Sequence, residues 1–128
     1  MTFKKNKLFG VLIFLLTFLF LVPSFAANVT QKLGFEWEQN EADLTELLEW
    51  RFYYTETSGE NYQPWLDDAG NQVKVVYDAS ATGPTYTSPE YNITLDIPPG
   101  QSRTFYYVLV AVDKAGNESD FSTEALNP

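Results

Sequence analysis

The chain of 128 residues is predicted to be an all-β protein with the architecture of an antiparallel β-sandwich. Two observations lead to this prediction. Apolar side chains recur at every second position in several short segments, which is the pattern of strands with one buried face. Clusters of Gly, Pro, Asn and Asp separate those segments and are typical of tight turns. About six short strands in about 100 residues, punctuated in this way, favour a sandwich.

A leader segment precedes the strands. Its positively charged start contains Lys4, Lys5 and Lys7. An apolar run covers residues 8–22, and the small residues Ser24 and Ala26 are typical of a cleavage site. This pattern predicts a signal peptide over residues 1–26, cleaved after Ala26, and an exported domain over residues 27–128.

The alternative fate of the leader is an uncleaved anchor helix over residues 8–25. The apolar run of residues 8–22 has 15 residues, fewer than the roughly 20 that a spanning helix needs, which favours cleavage. The chain has no cysteine after this run, so a lipoprotein anchor is excluded. The predicted location is therefore secreted or periplasmic, with membrane anchoring as the alternative.

The composition excludes several kinds of chemistry. The sequence has no cysteine and no histidine, so it offers no disulfide, no thiolate nucleophile and no imidazole base. Its 17 acidic residues outnumber 8 basic ones, which argues against nucleic acid as a partner because that binding depends on Lys and Arg. Residues 27–128 keep all 17 acids and only five basic residues, a formal charge of −12. No cofactor is predicted.

Alternating apolar residues mark four strands in chain order. They are Leu33, Phe35 and Trp37; Trp50, Phe52 and Tyr54; Val73, Val75 and Tyr77; and Tyr91, Ile93, Leu95 and Ile97. A fifth strand over residues 104–112 is apolar on both faces, so we expect it to be central and covered on both sides. A short last strand is predicted over residues 121–126. Trp37 and Trp50 are predicted to pack in the core.

A single segment favours a helix. Residues 41–49 place Leu44, Leu47 and Leu48 at the spacing of one helical face. Asp43 is a suitable N-cap for one turn. We expect a short helical turn that leads into the strand of Trp50.

A set of short motifs carries a resemblance to a known family. The motifs are Phe35-Glu36-Trp37-Glu38-Gln39-Asn40, Ala42-Asp43-Leu44, Arg51-Phe52-Tyr53-Tyr54, Tyr91-Asn92-Ile93-Thr94-Leu95, Pro99-Gly100, residues 105–113, Ala115-Gly116-Asn117-Glu118-Ser119 and Phe121-Ser122. In this order they resemble the fibronectin type III family, particularly its variants in secreted bacterial and phage proteins. The resemblance covers most of residues 33–125 and implies an immunoglobulin-like sandwich.

The sequence departs from that family in three places. Only ten residues separate the predicted cleavage point from Trp37, so the family's first strand is expected to be short or missing. The connection between Asp43 and Trp50 is longer than usual. Phe105 stands where many members place a tyrosine whose hydroxyl bonds the backbone, which leaves Tyr106 or Tyr107 for that role or the feature absent.

Paired carboxylates are the one enzymatic arrangement that this composition permits. Glycoside hydrolysis needs two carboxyl groups about 5 to 9.5 Å apart across a cleft. The candidate pairs are Glu36 with Glu38, which alternate outward on one strand, and Glu46 with Glu49, which lie near a turn. A small sandwich is not expected to offer a deep cleft, so these carboxylates are predicted to lie on solvated faces and the protein is predicted not to be an enzyme.

Two acidic loops offer carboxylate and amide oxygens, which are the ligands that calcium prefers. One loop contains Asp67, Asp68 and Asn71, and the other contains Asp113, Asn117, Glu118 and Asp120. Neither follows the Asp-x-Asp-x-Asp-Gly spacing of a known calcium loop. Asp and Asn beside Gly are also ordinary turn formers, so no metal site is predicted.

Two aromatic residues lie in the first of these loops. Tyr62 and Trp65 could stack on a sugar ring or anchor a protein partner. The alternative is that Trp65 and Leu66 fold back over one end of the core, which a domain without disulfides needs more.

The function predicted from these observations is an exported, non-catalytic binding module whose partner is a protein or a carbohydrate. The predicted binding residues lie in two loops. They are Tyr62, Trp65, Asp67, Asp68, Asn71, Asp113, Asn117, Glu118 and Asp120. The alternative is a structural subunit that forms homo-oligomers through a sheet edge left open by the missing first strand.

Overall fold

The computed structural model describes residues 14–15 and 27–126, with side chains for residues 28–125. The predicted signal peptide, residues 1–26, therefore lies outside the described residues except for Phe14–Leu15. Within the described ranges, none of the helices has the length and hydropathy needed to cross a membrane.

The described residues form ten strands and one 3₁₀ helix. The strands are β1 (Phe14–Leu15), β2 (Ala27–Leu33), β3 (Phe35–Glu38), β4 (Leu47–Thr55), β5 (Gln63–Pro64), β6 (Lys74–Val76), β7 (Thr85–Thr87), β8 (Tyr91–Ile97), β9 (Tyr106–Asp113) and β10 (Ala125–Leu126). All pairings are antiparallel, which confirms the all-β prediction.

The strands pair in three groups. β3 lies between β1 and β7, and β2 pairs with β8 along its whole length. The largest group has the order β10-β9-β4-β5, and β6 also pairs with β4. We call this last group the large sheet.

The strand patterns predicted over residues 91–97 and 104–112 are confirmed, whereas the predicted strand of Leu33, Phe35 and Trp37 is divided: Leu33 ends the seven-residue β2, which pairs with β8, and Phe35 and Trp37 lie in β3. On β8, Leu95 and Ile97 are buried while Asn92, Thr94 and Asp96 are exposed. β9 lies between β4 and β10, and every residue after Tyr106 is buried, as expected for a central strand. It begins at Tyr106 rather than at residue 104, although Phe105 is still buried.

The core lies where rings of β3 meet rings of the large sheet. The Phe35 ring is 5.0 Å from that of Phe52 and 5.2 Å from that of Tyr107, measured between centroids. Trp37 packs edge-on against Trp50 at 5.0 Å. Both tryptophans are fully buried, which confirms their predicted packing role.

The 3₁₀ helix covers Glu41–Glu46 and matches the single helical turn that was predicted. Its N-cap is Asn40, whose side chain accepts a hydrogen bond from the Ala42 amide. The prediction that Asp43 caps the turn is wrong, because the helix begins two residues earlier and Asp43 is inside it.

The last strand is shorter than predicted. β10 covers only Ala125–Leu126, and the prediction of a strand from residue 121 is wrong. Between residues 119 and 122, two serine hydroxyls take the place of the backbone carbonyls that a neighbouring strand would offer to β9. Ser122 Oγ accepts from the Leu109 amide, and Ser119 Oγ accepts from the Ala111 amide. The chain beside β9 is therefore irregular, and Phe121 is left 46% exposed.

Candidate binding surface

The outward-facing side of the large sheet carries the functional candidates. Because side chains alternate along a strand, the residues of β4 next to buried Trp50 and Phe52 point away from the core. These residues are Glu49, Arg51 and Tyr53. We call this side the outer face.

A network of charges crosses the outer face. Arg51 Nε donates to Glu49 Oε2 at 2.7 Å, and its Nη1 reaches Glu118 Oε1 at 3.4 Å. Lys74 Nζ lies 3.4 Å from Glu49 Oε1. Burial raises the pKa of the Glu49 carboxyl, but hydrogen bonds and charge from Arg51 and Lys74 outweigh burial and leave the pKa below its ordinary value. Glu49 is thus an ionised, structural carboxylate.

The expectation that Glu49 lies on a solvated face is wrong. The residue is 4% exposed, and its carboxylate is paired with Arg51 of β4 and Lys74 of β6. A carboxyl group whose pKa is lowered is a poor proton donor near neutral pH, so it does not have the raised pKa of a glycosidase acid.

Three aromatic rings lie in a row beside this network. The Phe121 ring is 5.2 Å from Tyr53 on one side and 4.8 Å from Tyr62 on the other. Tyr53 donates its hydroxyl to Glu118 Oε1 at 3.1 Å, which joins the row to the charges. We call Tyr53, Phe121 and Tyr62 the aromatic row.

The far end of the aromatic row is held by Glu124. This carboxylate accepts hydrogen bonds from Ser58 Oγ and the Gly59 amide, both at 2.6 Å, and from the Tyr62 hydroxyl. Burial, the hydrogen bond and the negative charge of Glu124 together raise the pKa of Tyr62 to about 12. Burial also raises the pKa of Glu124, but its three donors outweigh burial and the net direction is downward.

Trp65 lies inside the molecule, unlike Tyr62. It is 9% exposed, and its ring packs edge-on against Phe35, Tyr91 and Tyr107. This burial corrects the prediction that Trp65 is a binding residue. The structure shows the alternative, in which Trp65 covers the core. Leu66, expected to fold back with it, is 52% exposed instead.

Asp67 and Asn71 close a tight turn at one end of the outer face. Asp67 Oδ1 accepts from the amides of Ala69 and Asn71, both at 2.9 Å. Both residues border a pocket of about 640 Å³ that the charge network also lines. The residues around it are Glu49, Arg51, Asp67, Asn71, Gln72, Val73, Lys74 and Tyr91. Asp68 is exposed at the tip of the turn.

Asp113 and Asn117 form a second turn of the same kind. Asp113 Oδ1 accepts from the amides of Ala115 and Asn117, and its Oδ2 accepts from the Asn117 side chain at 2.9 Å. Asp113 is 2% exposed, so burial removes it from any binding surface, which corrects its inclusion there. Asp120 is exposed and Asn117 lies at the exposed turn. In the described ranges, no three acidic side chains converge as a metal site would require.

The structure therefore joins some predicted residues and separates others. Tyr62 and Glu118, predicted from different loops, meet on the outer face through Phe121 and Tyr53. The outer-face residues that were not among the predicted binding residues are Glu49, Arg51, Tyr53, Lys74 and Phe121. An aromatic residue at the outward position of a strand, as Tyr53 is, was the available signal for this face.

Comparison of the chain with protein-family models, with curated proteins and with solved structures finds no match. The resemblance to the fibronectin type III family accordingly remains a prediction from the motifs.

Proposed function

We propose that this chain is an exported, non-catalytic binding module with a fibronectin type III-like β-sandwich. The fold proposal is supported by ring contacts that join β3 to the large sheet. It is also supported by the order of the large sheet, in which β9 lies between β4 and a short last strand.

The aromatic row is the proposed binding surface. Phe121 is 46% exposed and lies between two tyrosines whose hydroxyls are fixed by Glu118 and Glu124. Rings held in this way lose little conformational entropy on binding and offer both apolar area and hydrogen-bonding groups. The partner is a protein or a carbohydrate, because both bind to rows of aromatic rings. This exposed and preorganised ring is the observation that carries the proposal.

A catalytic role is not proposed. Glu49, the most deeply buried carboxylate of the outer face, is ionised and paired with two cations. Export is proposed from the leader segment, with the domain secreted or periplasmic, or held at a membrane by residues 8–25 if the leader is retained.

The test compares Phe121→Ala with Leu66→Ala in the exported protein. Leu66 is a matched control because it is similarly exposed but lies outside the aromatic row. Partners captured by the wild type from the source organism, and a panel of oligosaccharides, would be titrated against both variants. We expect Phe121→Ala to weaken binding by about thirtyfold, as for a loss of about 2 kcal/mol at a central ring, and Leu66→Ala to leave it unchanged. Equal affinities for both variants would contradict the proposal.

A structural subunit that assembles through a sheet edge is the second candidate. The edge of β3 that pairs with β1 is the edge that such an assembly would use once the leader is removed.

A further inference from the structure

The leader segment contributes a strand to the folded domain. β1 pairs antiparallel with β3, with Phe14 opposite Glu36 and Leu15 opposite Phe35. On its other side β3 pairs with β7. The edge of β3 that faces β1 thus accepts an extended segment whose two residues are apolar.

The hydrogen bonds of β3 show which groups that edge presents. The Phe35 amide donates to Ser88 Oγ, and the Phe35 carbonyl accepts from the Ser88 amide, both at 2.9 Å. Gln39 likewise donates to the Pro84 carbonyl. Because backbone groups alternate in direction along a strand, those of Glu36 and Glu38 point to the opposite edge, where β1 lies.

Export takes β1 away from this edge, and the inference rests on that part of the proposed function. Cleavage after Ala26 removes Phe14–Leu15 but leaves β2 whole, since β2 begins at Ala27. Insertion of the leader into a membrane would also remove β1. In either case the amide and carbonyl of Glu36 lose the strand that pairs with them, and an open strand edge is a template for another chain.

The charges of this edge argue against a second copy as the occupant. The side chains of Glu36 and Glu38 are exposed, and residues 27–128 carry a formal charge of −12. Pairing of β3 with β3 of another copy would bring these carboxylates close together, and like charges on paired strands destabilise a sheet. A segment with basic side chains would instead be attracted.

We propose that the exported domain accepts at β3 an extended segment of a different protein, apolar where β1 is apolar and basic beside Glu36 and Glu38. Binding would proceed by strand addition, in which backbone hydrogen bonds supply affinity and side chains supply selectivity.

The experiment uses the exported protein, whose intact mass first establishes whether it begins at Ala27. The probe is a fluorescent peptide with the sequence of residues 10–19 flanked by lysines. A matched peptide replaces Phe14 with proline, which removes the amide that pairs with Glu36. We expect the first peptide to bind and to slow hydrogen exchange at the Glu36 amide, and the proline peptide to bind at least about tenfold more weakly.

Two protein variants test the charges. Glu36→Lys should weaken binding of the basic peptide several-fold, whereas Glu90→Lys, an exposed glutamate on another segment, should not. Failure of the processed protein to bind, or equal binding of the two peptides, would overturn the proposal. The proposal would also be overturned if the exported protein retained Met1 and its Glu36 amide were protected from hydrogen exchange without peptide. It would likewise be overturned if the protein formed a dimer at high concentration that protected this amide. If the peptide does not bind but the partner of the aromatic row still binds in a way that depends on Phe121, only the strand-addition proposal fails and the proposed function is unaffected.

Discussion

The loop of residues 62–71 and the loop of residues 113–120 contain the same five-residue turn. Their sequences are Asp67-Asp68-Ala69-Gly70-Asn71 and Asp113-Lys114-Ala115-Gly116-Asn117. In both turns the first aspartate accepts from two amides through Oδ1, and its own amide donates to the asparagine carbonyl. The glycines have φ values of 83° and 88°, a conformation that favours glycine. The local sequence therefore produces the same turn twice.

The surroundings of the two turns differ. Asp113 is buried, and the neighbouring Lys114 is bonded to the 3₁₀ helix segment through the Glu46 and Thr45 carbonyls. Asp67 is exposed and borders the outer-face pocket. The second turn is thus part of the framework, while the first is available to a ligand. The first loop is instead fixed by Trp65, which enters the core just before the turn.

Removing Trp65 should have the largest effect. Trp65→Ala is expected to lower the free energy of unfolding by about 3–5 kcal/mol, because it empties a site among Phe35, Tyr91 and Tyr107. Leu66→Ala, the exposed neighbour, should change it by less than about 0.5 kcal/mol. Urea unfolding of both variants measures this difference. Similar stabilities would show that Trp65 does not anchor the loop.

The sequence pattern does not predict that Trp65 lies in the core while Tyr62 lies on the surface. Periodicity predicts strands well where a face alternates over many residues, as along Tyr91–Ile97. β5 has only two residues, Gln63–Pro64, so no alternation tells which neighbour points inward. The exposure of Phe121 could not be predicted for a related reason. The serine side chains that pair with β9 break the strand there, and this depends on contacts between distant residues.

The two turns should respond differently to loss of the aspartate. Asp113→Ala is expected to cost about 2 kcal/mol, because its carboxylate accepts three hydrogen bonds in a buried site. Asp67→Ala breaks two equivalent bonds at an exposed turn and should cost about 0.5–1 kcal/mol. Thermal unfolding of the two variants provides a matched pair. Equal losses would mean that the turn itself, rather than burial, determines its contribution.

Loss of the Glu124 carboxylate should have the smallest effect on stability, and that effect should depend on pH. It links the start of the first loop to the chain after the second, because it accepts hydrogen bonds from Ser58, Gly59 and Tyr62. Its pKa in the folded protein is lower than the ordinary value of 4.5. The ionised carboxylate therefore stabilises the fold above about pH 4.5, and this contribution is lost as the pH falls through the lowered pKa.

Glu124→Gln is expected to lower the free energy of unfolding by about 1 kcal/mol at pH 7, a few degrees in melting temperature. The difference from the wild type should shrink steadily as the pH falls below 4.5, because the wild-type carboxyl is then protonated too. Glu60→Gln changes an exposed glutamate in the turn of Ser58 and Gly59 and is the control for loss of charge alone. A difference that stays constant between pH 7 and about pH 3 would mean that Glu124 acts through packing, and that the two loops are not joined by its charge.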